Sequence, residues 1–213
     1  MEYIFDVSNY VLKGSLVTIK LYMITILFSI PFGIILALGK VSKYKLINIL
    51  LSLYTWIFRG TPLLLQLFFF YFGLPVINIT LTPFMAAAIT FILNYSAYLT
   101  EIFRAGIQSI PKGQYEAAYS LGMDYWQTMI YIILPQTANR VLPPLSNEAI
   151  TLVKDTALVA AIGMGDLLRA AKQAVTRDFN ITPFILAAIF YLIFTSLIVT
   201  LFRKIEQKYS ICE

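Results

Sequence analysis

Two sets of polar and charged residues recur at helical spacing within largely apolar parts of the chain. They are Asn94, Tyr98 and Glu101 in the first set and Glu148, Thr151 and Asp155 in the second. This spacing places each set on one face of a helix. Ionisable groups inside a membrane are costly, and they usually face a bundle interior or an aqueous cavity. We therefore expect the two faces to line one polar pathway, in which carboxylates can accept hydrogen bonds from a cationic group.

The composition indicates that the helices carrying these residues lie in a bilayer. The chain is 59% hydrophobic and 13% charged, whereas soluble domains are about half apolar and about a quarter charged. A soluble fold of this size cannot bury such an excess, because its surface must still be covered. The net charge of +5 comes from basic residues at the ends of apolar runs, which is typical of membrane anchors and gives no reason to expect nucleic-acid binding.

Two residue types exclude further classes of site. The chain has no histidine, which excludes haem ligation by histidine and histidine-based metal sites. It has one cysteine, Cys212, so no intramolecular disulfide can form. We predict no metal site.

The apolar runs predict an all-α, polytopic membrane protein that forms a single domain over residues 1–213. A spanning helix needs about 20 apolar residues. The charge-free stretch from Gly60 to Thr100 is too long for one span, so the prolines and polar residues within it must turn the chain. We predict five spans, at about 14–38, 46–72 (kinked near Pro62), 84–107, 145–164 and 183–202. A short amphipathic helix at about 113–122 follows the third span, and a polar loop at 166–180 precedes the last.

The basic residues between the spans predict the orientation. Most fall on one side, and they are Lys40, Lys43 and Lys45 after the first span, Lys112 after the third, and Arg203, Lys204 and Lys208 after the last. The positive-inside rule makes this side cytoplasmic. The N-terminus is therefore expected outside and the C-terminus in the cytoplasm.

One segment carries a motif with fixed spacing. Glu116-Ala117-Ala118 is followed by three residues and Gly122, and nine residues later comes Ile132-Ile133-Leu134-Pro135. This resembles the EAA loop of permease subunits in ATP-binding-cassette importers, at every defining position. The loop also falls on the side predicted to be cytoplasmic.

The resemblance implies that the helix at 113–122 docks in a groove of an ATPase subunit and transmits its closure to the spans. The residues expected to do so are Gly113, Tyr115, Glu116, Ala117, Ala118 and Gly122. Small residues let another protein approach the backbone, and a glutamate is favoured near a helix start. The alternative is a solvated interfacial helix without a partner.

Four further segments resemble the polar amino acid permeases, which are subunits of histidine, arginine and glutamine importers. They are residues 59–63, 94–98, 101–106 and 154–156. The resemblance covers about residues 10–208, and five spans are that family's minimal core. It implies a permease subunit in a bacterial cell membrane that works by alternating access. The implied partners are two ATPase subunits, a second permease subunit (identical or paralogous) and an extracytoplasmic solute-binding protein.

ATP hydrolysis is assigned to the ATPase partner. The chain lacks the G-x-x-x-x-G-K-[ST] loop that cradles phosphates. We therefore predict no enzymatic activity and no cofactor in this chain, with ATP and magnesium bound by the ATPase subunits.

An amino acid substrate needs acceptors for its ammonium group and donors for its carboxylate. We expect Glu101 and Asp155 to accept from the ammonium group or from a basic side chain. The candidates on the carboxylate side are Thr61, Gln66, Asn94 and Ser96, and Tyr98 and Arg59 complete the predicted site. Two acidic residues favour a basic amino acid.

Each candidate also has a structural alternative. Glu101 can pair with Arg104 three residues later. Asp155 can orient a helix, and Arg59 can stabilise the kink at Pro62. The amides of Gln66 and Asn94 can simply hydrogen-bond neighbouring helices.

Three other functions compete with the amino acid importer. One is a permease for methionine or another small solute. Another is an ion-driven secondary transporter, which would be expected to show repeated halves with broken helices, and we find no internal repeat. The last is a structural membrane subunit, which would have no reason to carry the complete EAA spacing.

Overall fold

The N-terminal apolar run forms helix α1, Glu2–Val41, in the computed structural model, which describes residues 2–209. The helix begins well before the predicted start at residue 14. Its first turns are held because Val7 and Val11 are buried in a cluster with Leu167 and Ala171. Lys40, which we expected in a loop, lies in the last turn of α1 and is buried.

A bend of 102° separates helices α2, Lys45–Gly60, and α3, Leu63–Phe68. Between them Thr61 and Pro62 are extended, because proline disfavours helical backbone at the preceding residue. A π-helical turn at Phe69–Gly73 and a 3₁₀ turn at Leu74–Ile77 continue α3. The change of direction is larger than the kink predicted within one span over 46–72.

Helix α4, Pro83–Gln108, is the central helix and packs against α1, α2 and α7. Proline occupies its first turn, where no N–H is needed, and the Thr82 hydroxyl accepts a hydrogen bond from the Met85 N–H. The short helix α5, Lys112–Ser120, follows.

The next helical segment is continuous from Tyr125 to Ile162. It comprises α6, Tyr125–Thr128, a π-helical turn at Met129–Ile133, α7, Leu134–Asp155, and a 3₁₀ turn at Thr156–Ile162. The helix extends well before the predicted start of the span at residue 145, and it runs through Pro143 and Pro144. They lie inside α7, as prolines do where neighbouring helices support the backbone.

The predicted polar loop at 166–180 is wrong, because most of it forms helix α8, Leu167–Asp178. Asp166 caps this helix by accepting hydrogen bonds from the N–H groups of Leu168 and Arg169. The inner face of α8 consists of Leu167, Ala170, Ala171 and Ala174. On its outer side, Tyr3 donates to Asp178 and Tyr10 donates to Gln173.

Helix α9, Thr182–Tyr209, ends the described chain, and Cys212 lies outside the described residues. Within residues 2–209, three helices are long and apolar enough to cross a membrane: α1, α4 and α9. The bent pair of α2 with α3 makes a possible fourth crossing. The all-α, polytopic membrane fold is therefore confirmed. The count of five crossings stays a prediction, since α7 is more polar.

Candidate substrate cavities and coupling segment

The polar faces of α4 and α7 meet the end of α2 around a cavity of about 380 Å³, which we call the central cavity. Its charged lining residues are Arg59, Glu148 and Asp155. Asn94 and Tyr98 line it from α4, and Thr61 lines it from the bend. The two sets of residues found in the sequence therefore come together: all three members of the second set line the central cavity, whereas Glu101 of the first set does not.

Two predicted site residues fasten the bend between α2 and α3. The Gln66 amide nitrogen donates to the carbonyl oxygens of Phe58 (2.9 Å) and Thr61 (3.1 Å) and to the Thr61 hydroxyl (2.8 Å). The Asn94 amide nitrogen donates to the Phe58 carbonyl (2.9 Å) and to the Gln66 amide oxygen (3.0 Å). These amides satisfy the carbonyls that the break leaves without helical partners.

Tyr95 is a member of the central cavity that we did not predict. Its hydroxyl donates to Asp155 Oδ2 at 2.7 Å, and its ring is buried. It fixes the Asp155 carboxylate from α4. The sequence did contain an indication that Tyr95 lines the cavity. Tyr95 lies three residues before Tyr98, and residues at i and i+3 share a helix face.

Ser96 does not reach the central cavity. Its side chain is fully buried and its hydroxyl has no hydrogen-bond partner among the described residues. Two residues correspond to a rotation of about 200° on a helix, so Ser96 faces away from both Asn94 and Tyr98.

Glu101 is already paired within the bundle. One of its oxygens accepts from Lys40 Nζ, and the other lies 2.7 Å from Arg104 Nη2. Lys40 also donates to the Thr55 hydroxyl at 2.9 Å. The pairing with Arg104 was one of the predicted alternatives, whereas Lys40 was missed because we placed it in a loop.

Arg59 and Glu148 lie between the central cavity and a larger one. The Arg59 guanidinium stacks over the Tyr98 ring, 5.3 Å from its centroid. Glu148 lines both cavities. Lys154, in contrast, is exposed, and no ion pair joins it to Glu148 among the described residues.

The larger space, which we call the α5-side cavity, measures about 610 Å³. It continues along α4 and α7 toward α5, and its lining includes Glu101, Arg104 and Arg140. It shares Arg59, Tyr98 and Glu148 with the central cavity. Another cavity, of about 900 Å³, lies elsewhere, between the 3₁₀ turn after α7 and α8, and the predicted ligand residues do not line it.

The predicted coupling segment, residues 112–122, presents an exposed surface after the end of α4. Gly113, Glu116 and Ala117 are exposed on α5, and Tyr119 is 83% exposed. Two predicted coupling residues face the other way. Ala118 is buried, and Tyr115 packs beside Ile107 and Ile110. Burial raises the pKa of Tyr115.

Gly122 ends α5 in a left-handed conformation, with φ of 75°. Its N–H donates to the Tyr119 carbonyl at 2.9 Å, and the Met123 N–H donates to the Ala118 carbonyl at 3.1 Å. This is a Schellman motif, which favours glycine at the left-handed position. The glycine of the motif is thus needed for backbone conformation. Glu116 lies in the second turn of α5, beyond the helix start where we expected it.

Residues 29–211 match the family described as binding-protein-dependent transport system inner membrane component. The chain belongs to this family. Its members are membrane components of transport systems that depend on a binding protein, and the apolar helices α1, α4 and α9 agree with a place in the membrane.

Relatives of this permease family match nearly its whole length. A Rickettsia bellii protein named as a glutamine transport system permease is 42% identical over 93% of this chain and 92% of its own length. The arginine transport system permease of Bacillus subtilis is 38% identical over the same shares. A crystal structure of an amino acid ABC transporter with histidines has a TM-score of 0.90 at 35% identity, over 97% of both chains.

Proposed function

We propose that this permease subunit carries an amino acid through the central cavity of an ATP-driven importer, and that basic amino acids suit it best. One observation carries the proposal. Two acidic residues, Glu148 and Asp155, line the central cavity, and Arg59 is the one basic residue that the described part of the chain adds to the lining. The names of the relatives, which concern glutamine and arginine, support the class of substrate.

The charges of the cavity match the charges of the substrate. Arg59 is placed to bind the α-carboxylate, because a guanidinium offers a planar pair of donors. Glu148 and Asp155 are placed to bind the α-ammonium group and a cationic side chain. With a basic amino acid bound, the charges of Arg59, Glu148, Asp155 and the substrate sum to zero. This favours a basic substrate, because burying a charge without a partner is costly. A volume of about 380 Å³ lies within the range of small-molecule sites.

The pairing of Glu101 removes it from the ligand set that we propose. Its carboxylate already has Lys40 and Arg104 as partners. We assign its predicted role to Glu148. Thr61, Gln66 and Asn94 would shape the cavity through the bend, and Tyr98 would support Arg59 through its ring.

The energy for transport would come from other polypeptides. The exposed face of α5 would dock on one of two ATPase subunits, which bind ATP and magnesium. A second permease subunit would complete the pathway, and the solute-binding protein would deliver the amino acid at the opposite end. ATP-driven closure would switch the spans between outward-open and inward-open forms. This assignment places α5 and the C-terminus in the cytoplasm and the N-terminus outside.

Charge-neutralising variants test the substrate assignment. The complete importer is reconstituted in vesicles, and uptake of L-arginine and L-glutamine is measured for Glu148→Gln and Asp155→Asn. We expect each variant to lower arginine uptake by about tenfold or more, which corresponds to about 1.4 kcal/mol. Glutamine uptake should fall less.

Lys154→Gln is the matched control, because Lys154 is adjacent to Asp155 and exposed. It should leave both rates unchanged. An arginine-to-glutamine ratio that stays the same in Glu148→Gln and Asp155→Asn would refute the assignment of basic substrates. Absence of any amino acid uptake by the unaltered importer would refute the function itself.

A further inference from the structure

The α5-side cavity is lined by an unusual concentration of charge. Three arginines, Arg59, Arg104 and Arg140, face it together with Glu101 and Glu148. They come from α2, α4 and α7, so three helices converge on the same space. The cavity measures about 610 Å³, which is large enough for a small organic ligand.

Lys40 adds to the positive charge around this cavity, although it is not part of the lining. It lies behind Glu101 and binds one of the carboxylate oxygens. With Lys40 included, four positive side chains stand against two negative ones around the cavity. The excess of two positive charges would attract an anion, because opposite charges near a low-dielectric wall interact strongly.

The three arginines differ in how many of their N–H groups already bind other residues of the protein. Arg104 binds Glu101 through Nε and Nη2 and binds Gln108 through Nη1. Arg140 donates from Nη1 to the carbonyl and hydroxyl oxygens of Ser109. A guanidinium carries five N–H donors, so Arg140 can bind Ser109 and a ligand together. Arg59 stacks on Tyr98 and faces both cavities.

We propose that the α5-side cavity is a second binding station, in which Arg59 and Arg140 hold the carboxylate of the amino acid that leaves the central cavity. The inference rests on the proposed function, in which the central cavity holds an amino acid. Arg59 borders both spaces, so the carboxylate can stay on one guanidinium while the rest of the molecule moves toward α5. Arg140 then receives it at the end where Ser109 joins α4 to the coupling segment.

The test uses the complete importer in nanodiscs, with Cys212→Ser and Ala105→Cys introduced together. Ala105 is exposed and lines the α5-side cavity. Rates of modification by a methanethiosulfonate with a sulfonate group and by one with a trimethylammonium group are compared, each normalised to a free thiol. We expect the anionic reagent to react about tenfold faster, after allowance for screening by salt.

Variants separate the charge from the packing. Arg140→Gln should reduce the preference for the anionic over the cationic reagent about threefold. Arg140→Lys should keep this preference, because the positive charge remains. Lys172→Gln is the distant control, since Lys172 lines the cavity beside α8, and it should change nothing. If Ala105→Cys does not assemble, Ile102→Cys on the same wall replaces it. Equal rates for the two reagents would overturn the proposal.

The ligand is tested by protection of the same cysteine. L-Glutamine and L-arginine at millimolar concentration should slow modification of the cysteine. L-Glutaminamide, in which an amide replaces the α-carboxylate, should not. Protection should persist in Asp155→Asn, which alters only the central cavity. Equal protection by the amide, or by inorganic phosphate, would overturn the assignment to an amino acid carboxylate. Failure of the proposed function is distinguishable, because it would abolish uptake without changing the preference between reagents.

Discussion

Replacing Lys40 by methionine is expected to destabilise the protein and to act through Glu101. The Lys40 side chain is 9% exposed and that of Glu101 is 13% exposed, so the ion pair is nearly out of water. Methionine keeps the length of the apolar stem and removes the charge. Glu101 would then lose one of its two basic partners, and the Thr55 hydroxyl would lose its donor.

The expected loss of stability depends on which partner Glu101 keeps after Lys40 is replaced. Removing one partner of a buried ion pair costs about 3–5 kcal/mol. Arg104 still binds Glu101 at 2.7 Å, but its side chain is 31% exposed and therefore more hydrated. We expect Lys40→Met to cost about 2–3 kcal/mol and Glu101→Gln about 3 kcal/mol. The double variant should recover about 2 kcal/mol relative to the sum, because neither charge is then left alone.

The assay is a double-mutant cycle of unfolding in mixed detergent micelles, with uptake measured in vesicles. Lys20→Met is the matched control, since Lys20 lies on α1 and is exposed, and it should leave stability unchanged. A coupling energy near zero between Lys40 and Glu101 would contradict the reasoning. So would a Glu101→Gln variant of normal stability whose affinity for the amino acid is reduced, because Glu101 would then be a ligand contact.

Three further predictions concern backbone and buried positions. Gly122→Asp should leave the protein in the membrane but uncouple ATP hydrolysis from uptake, since the new residue must adopt φ of 75° at the end of α5; normal uptake would argue against the coupling role. Gly14→Ala should lower the thermal midpoint, because its Cβ would lie 2.6 Å from the Asp166 carbonyl oxygen, whereas Gly165→Ala, with no atom within 4 Å, should not. Burial raises the pKa of Asp166, so the stability of the unaltered protein relative to Asp166→Asn should fall as pH rises above about 4; a pH-independent difference in thermal midpoint would refute this.

The local patterns of the sequence predicted the elements better than their junctions. The EAA spacing located α5, and the helical spacing of Asn94 and Tyr98 placed both at one cavity. The signal for α8 was also present, since Leu167, Ala170, Ala171 and Ala174 have helical periodicity after an aspartate cap. The polar composition of that stretch favours a loop, and this is why the sequence prediction of a loop at 166–180 is wrong.

Long-range pairing could not be inferred from one chain. Lys40 and Glu101 are 61 residues apart, and no local pattern specifies which basic residue reaches a buried acid. The passage of α7 through Pro143 and Pro144 likewise depends on packing against α4 and α9. The ligand roles of the cavity residues stay predictions, because they depend on a substrate.

The fastening of the bend between α2 and α3 has a mechanical consequence. Gln66 and Asn94 tie the Phe58 carbonyl to α4, so side-chain hydrogen bonds join the end of α2, the start of α3 and the middle of α4 into one unit. The opposite wall of the central cavity is joined to this unit by the Tyr95–Asp155 hydrogen bond and by apolar packing, in which Leu152 shares a buried cluster with Leu67 and Phe91. That wall, α7, leads through a 3₁₀ turn to Gly163, whose φ of 85° marks a sharp change of direction. The Tyr95 hydroxyl is therefore a polar link across the central cavity, between the α4 wall that Asn94 and Gln66 tie to the bend and the α7 wall that continues to Gly163.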